Sequence, residues 1–443
     1  MKKLLIISYL FAPTQAIGAI RWTKLAKYLT RMGVAVDVIT TASNAPEDEL
    51  LRRSAKDVRN IFRIKHGDPR FFDTTYVSRK TTSSANAEHK PGLVMRLKEW
   101  AKKNPAVMKV ASQYYARLDY ARGCDFAEQA EEYIENNINM ADYDAVVASF
   151  GPVGNTLVAL WIKERYPETR LIMDFRDPMA RSSTAWAVRG VCYRLQKNIC
   201  EAADELVAVT DGFAKVIFGE RYGANDAHVI ENGYDPEDFP SISTEPTELY
   251  AKSFSFVYTG QLYAGKQSLS PLFAALAQLA AKGILNTTEM KFNYAGPSIT
   301  FLRDMAEKYG MADIIIDHGV LPRGEALKLQ QSNRFLALSS WNNRGDEGVL
   351  TGKLYEYMVA GRPIIATVTG NLANSELRRV IERGRLGVVH EQADPGADDR
   401  LYEYLKREAI QYKQGQDADY SPDENYVAGF SYEELAKKIH ALI

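Results

Sequence analysis

The stretch TGKLYEYMVAGRP, residues 351–363, combines residue types that could bind an anion. Gly352 and Lys353 begin a predicted helix whose first amide groups lack intrahelical partners and lie at the positive end of the helix dipole. A lysine is normally unfavourable at this end, so the position of Lys353 indicates an anionic ligand. Glu356 follows one turn later, where its carboxylate could accept both hydrogen bonds of a ribose diol.

A second segment strengthens this interpretation. Taken alone, a Gly-Lys helix start followed by a glutamate could be only a helix cap. However, YTGQLYAGKQ, residues 258–267, supplies another glycine turn with a lysine, Lys266, directly after a predicted strand. Two lysines and a helix start are therefore candidates for one anion site.

The elements around these residues predict an α/β protein. Apolar runs typical of buried parallel strands, such as KLLIISY and FSFVYTG, alternate with helical patterns along the chain. The 443 residues are too many for one core. We expect two doubly wound, Rossmann-like domains facing a cleft, and a C-terminal helix that returns toward the first domain. The expected ranges are 1–240, with a helical insertion at about 78–140, then 241–425 and 426–443.

Composition excludes several classes of protein. A net charge of -1 gives no overall attraction to nucleic acid. The three cysteines are too few and too scattered for a disulfide framework, which favours the cytoplasm. The N-terminal MKKLLIISYLFAP predicts a buried strand rather than a signal peptide, because its apolar run is short and no cleavage site follows. We also expect no membrane-spanning helix.

The motifs together resemble glycosyltransferase family 4, whose members have the GT-B fold. The resemblance rests on GVLTGKLYEYMVAGRPIIA, NYAG and HGVLPRGE in the second half, and on SYLFAPTQAIGAIRWTKLAKYL, DFRDP and VIENGYD in the first. It covers most of the chain outside residues 45–140. It implies transfer of a sugar from a nucleoside diphosphate, with a UDP-sugar as the expected donor, with retention and without a metal or other cofactor.

The resemblance also implies roles for individual residues. Lys266 would contact the diphosphate, and Glu356 would hold the ribose. Residues 293–297 and 320–321 would flank the base. The donor-binding candidates are Gln261, Gly296, Val320, Leu321, Thr351, Gly352 and Glu356, and the catalytic candidates are Lys266, Lys353 and Glu347.

The chain departs from the family pattern at three points. The family has a first glutamate eight residues before the second, but position 348 is glycine, so Glu347 is the displaced candidate for that role. Gln261 occupies the place of an arginine, and Lys353 is the candidate to supply the missing charge. No histidine follows a central strand of the first domain, so no histidine-dependent scheme is carried over.

The acceptor side is expected on loops that follow strands of the first domain. Gly18 would allow close approach of the acceptor, and Arg21, Asp174 and Arg176 are further candidates for contacting it. The alternative for Arg176 is an internal salt bridge with the nearby aspartates. The Asp-x-Asp sequence at residues 142–144 precedes its strand, at the edge opposite the expected site, and is not expected to bind a metal.

A basic stretch in the first half of the chain bears on the partners of the protein. The basic stretch LVMRLKEWAKKNPAVMKV, residues 93–110, could lie on an anionic membrane or pack on the domain as a solvated helix. We expect a saccharide or lipid-linked acceptor, at the inner face of the cytoplasmic membrane, in the assembly of surface polysaccharide or another glycoconjugate. A nucleotide-sugar epimerase of the same fold and a non-catalytic nucleotide-sugar-binding protein are the alternatives.

Overall fold

The computed structural model describes residues 1–67, 105–181, 184–239, 250 and 252–443. The chain forms two compact units. The first comprises Met1–Val209, Ala214–Val229 and Ile439–Ile443, and the second comprises Thr210–Phe213 and Ile230–Lys438. Of the expected helical insertion and the basic stretch within it, residues 78–104 lie outside the described residues.

The first unit is built on a parallel sheet of seven described strands in the order β3-β2-β1-β4-β5-β6-β7. Its central strands are buried, its edge strands β3 and β7 are partly exposed, and every pairing within the sheet is parallel. The strands are β1 Lys3–Ile7, β2 Ala35–Thr41, β3 Asn60–Ile64, β4 Ala145–Phe150, β5 Leu171–Phe175, β6 Glu205–Ala208 and β7 Ala227–Val229.

The second unit has a parallel sheet of six described strands in the order β10-β9-β8-β11-β12-β13. Aromatic and aliphatic side chains fill its core, with Phe254, Phe256 and Tyr258 of β8 fully buried. The strands are β8 Phe254–Thr259, β9 Met290–Ala295, β10 Ile315–Asp317, β11 Phe335–Trp341, β12 Ile364–Thr369 and β13 Gly387–Glu391.

Helices connect successive strands, as parallel sheets require. The helices up to β7 are α1 Ile17–Arg31, α2 Glu49–Ser54, α3 Pro105–Asn137, α4 Gly154–Arg165, α5 Trp186–Ala202 and α6 Asp211–Phe218. The helices after β8 are α7 Ser270–Ala281, α8 Thr300–Glu307, α9 Arg323–Ser332, α10 Gly352–Ala360, α11 Glu376–Arg383, α12 Ala397–Lys413, α13 Glu424–Ala428 and α14 Tyr432–His440. None of the helices in the described ranges is long and apolar enough to cross a membrane.

The expected α/β architecture is confirmed, including the return of the chain end to the first unit. The Lys2 ammonium donates to the carbonyl of Ile443 at 2.9 Å, and the Arg170 guanidinium donates to that of Leu442 at 2.7 Å. These contacts anchor residues 439–443 beside the amino end of β1 and β5.

Each sheet has one point at which the strand order changes direction. It lies between β1 and β4 in the first unit and between β8 and β11 in the second. In parallel sheets the loops on either side of such a point diverge at the carboxyl edge and leave room for a ligand. The loops after β1, β4, β8 and β11 are therefore the parts of the fold in which to look for a site.

Candidate functional site

Helix α10 begins beside the switch point of the second sheet. Thr351 has the extended backbone typical of an N-cap, but its hydroxyl caps no amide. This hydroxyl oxygen is buried and has no hydrogen-bond partner among the described residues. The helix ends at Gly361 in the left-handed conformation, as the Gly-Arg-Pro sequence predicts. The start of α10 thus offers donors that the fold itself does not use.

The side chain of Lys353 lies against β8 and the turn that follows it. Its ammonium nitrogen lies 5.2 Å from the ring centroid of Tyr258. Gly260 has a φ of +102°, and a Cβ there would lie 2.7 Å from Cε of Lys353. Both the conformation and the close approach of the lysine therefore require glycine at this position.

The Lys353 ammonium has no hydrogen bond or ion pair with any of the described residues. Burial lowers its pKa to about 8, although the nearby Glu356 carboxylate acts in the opposite direction. A cation removed from water without a counter-ion is unfavourable, and a bound anion would relieve that cost.

The second lysine, Lys266, already has a counter-ion. Its ammonium lies 3.5 Å from the Asp346 carboxylate and 4.7 Å from the ring centroid of Trp341. The Trp341 indole donates to the same carboxylate at 2.8 Å, which fixes its position. Asp346 and Trp341 were not predicted from the sequence, although both lie in the segment WNNRGDEG, which begins at the last residue of β11.

The Glu347 carboxylate contacts its own loop, whereas that of the adjacent Asp346 lies near Lys266. The Glu347 carboxylate accepts a hydrogen bond from the amide of Gly345 at 2.8 Å. At position 348, a Cβ would lie 2.8 Å from Cα of Gly212, and φ is +76°. A glutamate cannot fit there without rearrangement, which explains the departure at this position. The catalytic role of Glu347 stays a prediction.

Glu356 is held by a polar network on the neighbouring helix α9. Its carboxylate accepts from Arg323, at 3.2 and 3.3 Å, and more weakly from Gln330 at 3.5 Å. Arg323 also lies 3.2 Å from the Asp238 carboxylate. The Glu356 side chain is still 22% exposed, so lone pairs remain accessible to a ligand hydroxyl. Arg323 was not predicted from the sequence.

The remaining donor-side candidates lie at the carboxyl ends of β8, β9 and β10. Gly296 is buried, and a Cβ there would lie 2.4 Å from the carbonyl oxygen of Gly260. The carbonyl of Gln261 accepts from the Tyr258 hydroxyl at 3.0 Å. Val320 is half exposed and Leu321 partly so. The structure therefore brings the Gly260 turn into contact with both Gly296 and Lys353, and Gly352 and Glu356 lie on the same helix as that lysine.

In the first unit, two acceptor-side candidates bind each other. The Arg21 guanidinium donates to the Asp174 carboxylate at 2.9 and 3.1 Å, and the two residues are 2% and 0% exposed. Trp22 and Ser149 donate to the same carboxylate, each at 2.8 Å. The aspartate thus pairs with Arg21 and not with Arg176. A direct contact of either residue with an acceptor stays a prediction, and their buried network suggests that they position the loops.

Arg176 joins three loops at the carboxyl edge of the first sheet. It donates to the carbonyls of Phe150, Gly151 and Gly18, at 3.2, 3.0 and 2.9 Å. A Cβ on Gly18 would lie 2.9 Å from the Arg176 guanidinium and 2.8 Å from the Leu10 side chain. Glycine is therefore needed at position 18 to make room for the Arg176 side chain, and this requirement does not depend on any contact with an acceptor.

The Asp-x-Asp sequence at residues 142–144 directly precedes β4. The Asp144 carboxylate accepts from the amide of Lys3 at 2.7 Å, at the amino edge of the first sheet. Within the described ranges, no three His, Cys, Asp or Glu side chains are grouped so that they could hold a metal ion.

The sequence matches no protein-family model and no curated protein. The structure, in contrast, is similar to solved structures over the full length of the chain. Sucrose-phosphate synthase from Thermosynechococcus elongatus matches with a TM-score of 0.61 and 15% identity, covering 100% of this chain and 98% of that one. Anabaena HepE in complex with UDP-glucose matches with a TM-score of 0.60 and 13% identity, covering 100% and 99%.

A third similar structure is the lipopolysaccharide outer core galactosyltransferase WaaB, with a TM-score of 0.57, 14% identity, and coverage of 100% and 99%. Identities this low establish a common fold and no more. Together with the two Rossmann-like sheets, these similarities show that the chain has the GT-B glycosyltransferase fold.

Proposed function

We propose that this protein is a glycosyltransferase that moves a sugar from a nucleoside diphosphate, a UDP-sugar, to a saccharide or lipid-linked acceptor. In this proposal the second unit binds the donor and the first unit binds the acceptor. Transfer proceeds with retention and without a metal, and it serves the assembly of a surface polysaccharide or another glycoconjugate in the cytoplasm.

The observation that carries the proposal is the state of Lys353. Its ammonium is desolvated at the start of α10, and no described residue lies within ion-pair or hydrogen-bond distance of it, although the Glu356 carboxylate is near enough to raise its pKa. The Thr351 hydroxyl beside it is also without a partner among the described residues. A diphosphate would satisfy both groups and the exposed amides of the first helical turn.

The chemistry needs such an arrangement. Cleavage of the bond between the sugar and the diphosphate leaves additional negative charge on the leaving group. Fixed donors that meet this charge are often the largest contribution to catalysis. Lys353 and the helix amides supply these donors at one end of the site. Lys266 supplies a second cation, which must leave its ion pair with Asp346 to bind phosphate. Glu356 would then accept from the ribose.

Proteins with the same fold support this assignment. HepE, with the same fold, has been solved in complex with UDP and with UDP-glucose. WaaB is described as a galactosyltransferase. The choice of a uridine donor and of sugar transfer as the reaction comes from these proteins and from the sequence resemblance, and both choices are tested below.

The first test is a calorimetric titration of UDP, GDP and ADP in the presence of EDTA. It uses the unmodified protein and the variants Lys353→Ala and Glu356→Ala. Loss of one charge-assisted contact should weaken binding about tenfold to a hundredfold. Lys328→Ala, which removes an exposed lysine of α9, is the matched control and should bind normally. Absence of nucleotide binding, or equal binding by all variants, would refute the donor site.

The second test separates transfer from its alternatives. The protein is incubated with UDP-glucose or UDP-galactose, with and without a membrane extract that contains acceptors. Release of UDP that depends on the extract, with the sugar recovered in the acceptor, supports glycosyl transfer. Interconversion of the two nucleotide sugars without an acceptor would identify an epimerase, and binding without any turnover would identify a non-catalytic protein.

A further inference from the structure

Helices α3 and α5 of the first unit expose large aromatic side chains to solvent. Tyr114, Trp186 and Tyr193 are 61%, 63% and 62% exposed. Tyr115 and Val110 of α3 are similarly exposed. Isolated surface aromatics are common, but several on two adjacent helices mark a surface that interacts with something.

These five side chains lie on two helices that contact each other near Trp186, and we call the surface that they occupy the aromatic face. The Arg117 guanidinium of α3 lies 5.9 Å from the ring centroid of Trp186. The Gln113 side chain accepts from the amide of Ala187 at 3.0 Å, which joins the two helices at this point. Trp186 and Tyr193 are seven residues apart on α5 and therefore share one side of that helix.

The aromatic face is also basic. Helix α5 carries Arg189, Arg194 and Lys197 against one acid, Glu201, which lies 3.7 Å from Lys197. Between residues 110 and 122, α3 carries Arg117 and Arg122 against one acid, Asp119, which pairs with Arg122 at 3.0 Å. The whole chain has a net charge of -1, so this excess of positive charge is local.

The fold places the aromatic face near the acceptor-side loops. Helix α5 follows β5, so it begins at the carboxyl edge of the first sheet, where the loop containing Arg176 lies. Helix α3 runs in the same direction beside it, since Gln113 contacts Ala187 and Tyr120 lies near Cys192. The exposed aromatics therefore lie toward the edge at which Arg176 joins the loops of Gly18 and Gly151.

We propose that the aromatic face is the surface by which the protein docks on an anionic lipid bilayer. Tyrosine and tryptophan side chains are favoured at the boundary between headgroups and acyl chains, because each has an apolar ring and a polar group. Arginine and lysine around them would be attracted to anionic headgroups. Docking would bring a lipid-linked acceptor to the acceptor-side loops; only this last step rests on the proposed function, since bilayer binding requires no turnover.

The test is co-sedimentation of the full chain with vesicles. One set contains phosphatidylcholine alone, and the other contains equal parts of phosphatidylcholine and phosphatidylglycerol. The native protein should bind the anionic vesicles at low salt and be released at high salt. Arg189→Gln with Arg194→Gln should weaken binding about fivefold for each charge removed. Trp186→Ser with Tyr193→Ser should weaken it by at least about tenfold.

Two controls keep the result specific. Arg303→Gln with Lys308→Gln removes two exposed charges, one on α8 and one at the residue that follows it, in the second unit and should leave vesicle binding unchanged. Trp186→Phe keeps the apolar ring and should preserve binding, but it should abolish any shift in tryptophan emission that vesicles cause in the native protein. Thermal unfolding of each variant shows that the fold is retained.

Four outcomes would overturn the proposal. The native protein could fail to bind anionic vesicles, or it could bind neutral ones equally well. The aromatic-face variants could bind like the native protein. Finally, Lys98→Gln with Lys102→Gln could abolish binding while the aromatic-face variants bind normally, which would assign the contact to residues 93–104 instead. UDP titration of the same variants should be unaffected in every case, so a failure here is distinguishable from a failure of the donor site.

Discussion

The carboxyl edges of the two sheets hold their cations in opposite ways. In the first unit, Arg21 is enclosed with Asp174, and Arg176 donates to three backbone carbonyls. In the second unit, the Lys353 ammonium is desolvated but has no hydrogen-bond acceptor among the described residues. The arginines therefore use their hydrogen-bonding capacity to join the fold, whereas the lysine keeps its capacity for a ligand.

Burial alone therefore does not show whether a cation contributes to the stability of the fold or to the binding of a ligand. Removing one member of a satisfied buried pair leaves the other unpaired and should destabilise the fold. Removing an unsatisfied charge should cost the fold little and cost binding much. Substitutions at the two edges should therefore affect different measurements.

The largest effect is expected for Asp174→Asn. It leaves Arg21 buried without its counter-charge, so the free energy of unfolding should fall by about 3 to 5 kcal/mol. Urea denaturation would measure this loss. Asp177→Asn, which removes an exposed partner of Arg181, is the control and should cost less than about 1 kcal/mol. Equal small losses for both variants would contradict the structural role of the Arg21–Asp174 pair.

Lys353→Met should have the reverse profile. It keeps the length and apolar stem of the side chain but removes the desolvated charge, so the free energy of unfolding should be unchanged or raised. Affinity for the nucleoside diphosphate should fall by about 2 to 3 kcal/mol, because charge-assisted hydrogen bonds are lost. Denaturation and calorimetry on the same preparation measure both. A strongly destabilised variant would show that Lys353 is structural.

Gly260→Ala tests whether the position of Lys353 matters as well as its charge. The alanine must adopt a φ of +102° and displace the lysine stem from a 2.7 Å contact. Gly265→Ala in the same loop has the same kind of backbone strain, with a φ of +77° and nothing within 4 Å of its Cβ. Both variants should lose about 1 to 2 kcal/mol of stability, but only Gly260→Ala should also weaken nucleotide binding.

The smallest effect is expected in the pH dependence of binding. Burial lowers the pKa of Lys353 to about 8 in the free protein, while a bound diphosphate favours the protonated amine. Affinity should therefore be constant below about pH 8 and fall by at most about tenfold per pH unit above it. For stability the sign is opposite. The unfolded chain binds more protons than the native chain between the lowered and the ordinary lysine pKa, so the native state gains stability as pH rises through that range.

A permanently charged side chain provides the control for this pH dependence. Lys353→Arg should give a nearly flat affinity profile over the same range, because arginine keeps its proton. A native profile that is equally flat would show that Lys353 is not the group that titrates.

Much of the fold was predictable because its signals are local. Apolar runs and helix stops such as Gly33 and Gly361 predict β1, β2, β8 and the helices beside them, and the structure confirms these elements. The isoleucine run in ADIIIDHG, residues 312–319, also favours a strand, but β10 is only Ile315–Asp317, because Ala312–Ile314 form a short turn of 3₁₀ helix. Apolar content alone does not distinguish the two conformations.

The chemistry of the site was less predictable, because it depends on contacts between distant segments. Lys353 could be chosen from its position at a helix start, but its lack of a counter-ion depends on how Tyr258 and Gly260 enclose it. Similarly, the sequence alone does not show which of two adjacent acids contacts the site. In the structure Asp346 lies near Lys266, whereas Glu347 accepts a hydrogen bond from its own loop. Arg21 and Arg176 were both proposed for the acceptor, and only the structure shows which carboxylate or carbonyls each one meets.

The anchoring of residues 439–443 in the first unit has a consequence for the order in which the protein is made. Chains emerge from the ribosome with the N-terminus first, and domains commonly fold as they appear. All seven described strands of the first sheet have been synthesised by residue 229, but Ile443 and Leu442, the partners of Lys2 and Arg170, follow only after the second unit. The second unit must therefore be translated in full before the first can complete its contacts.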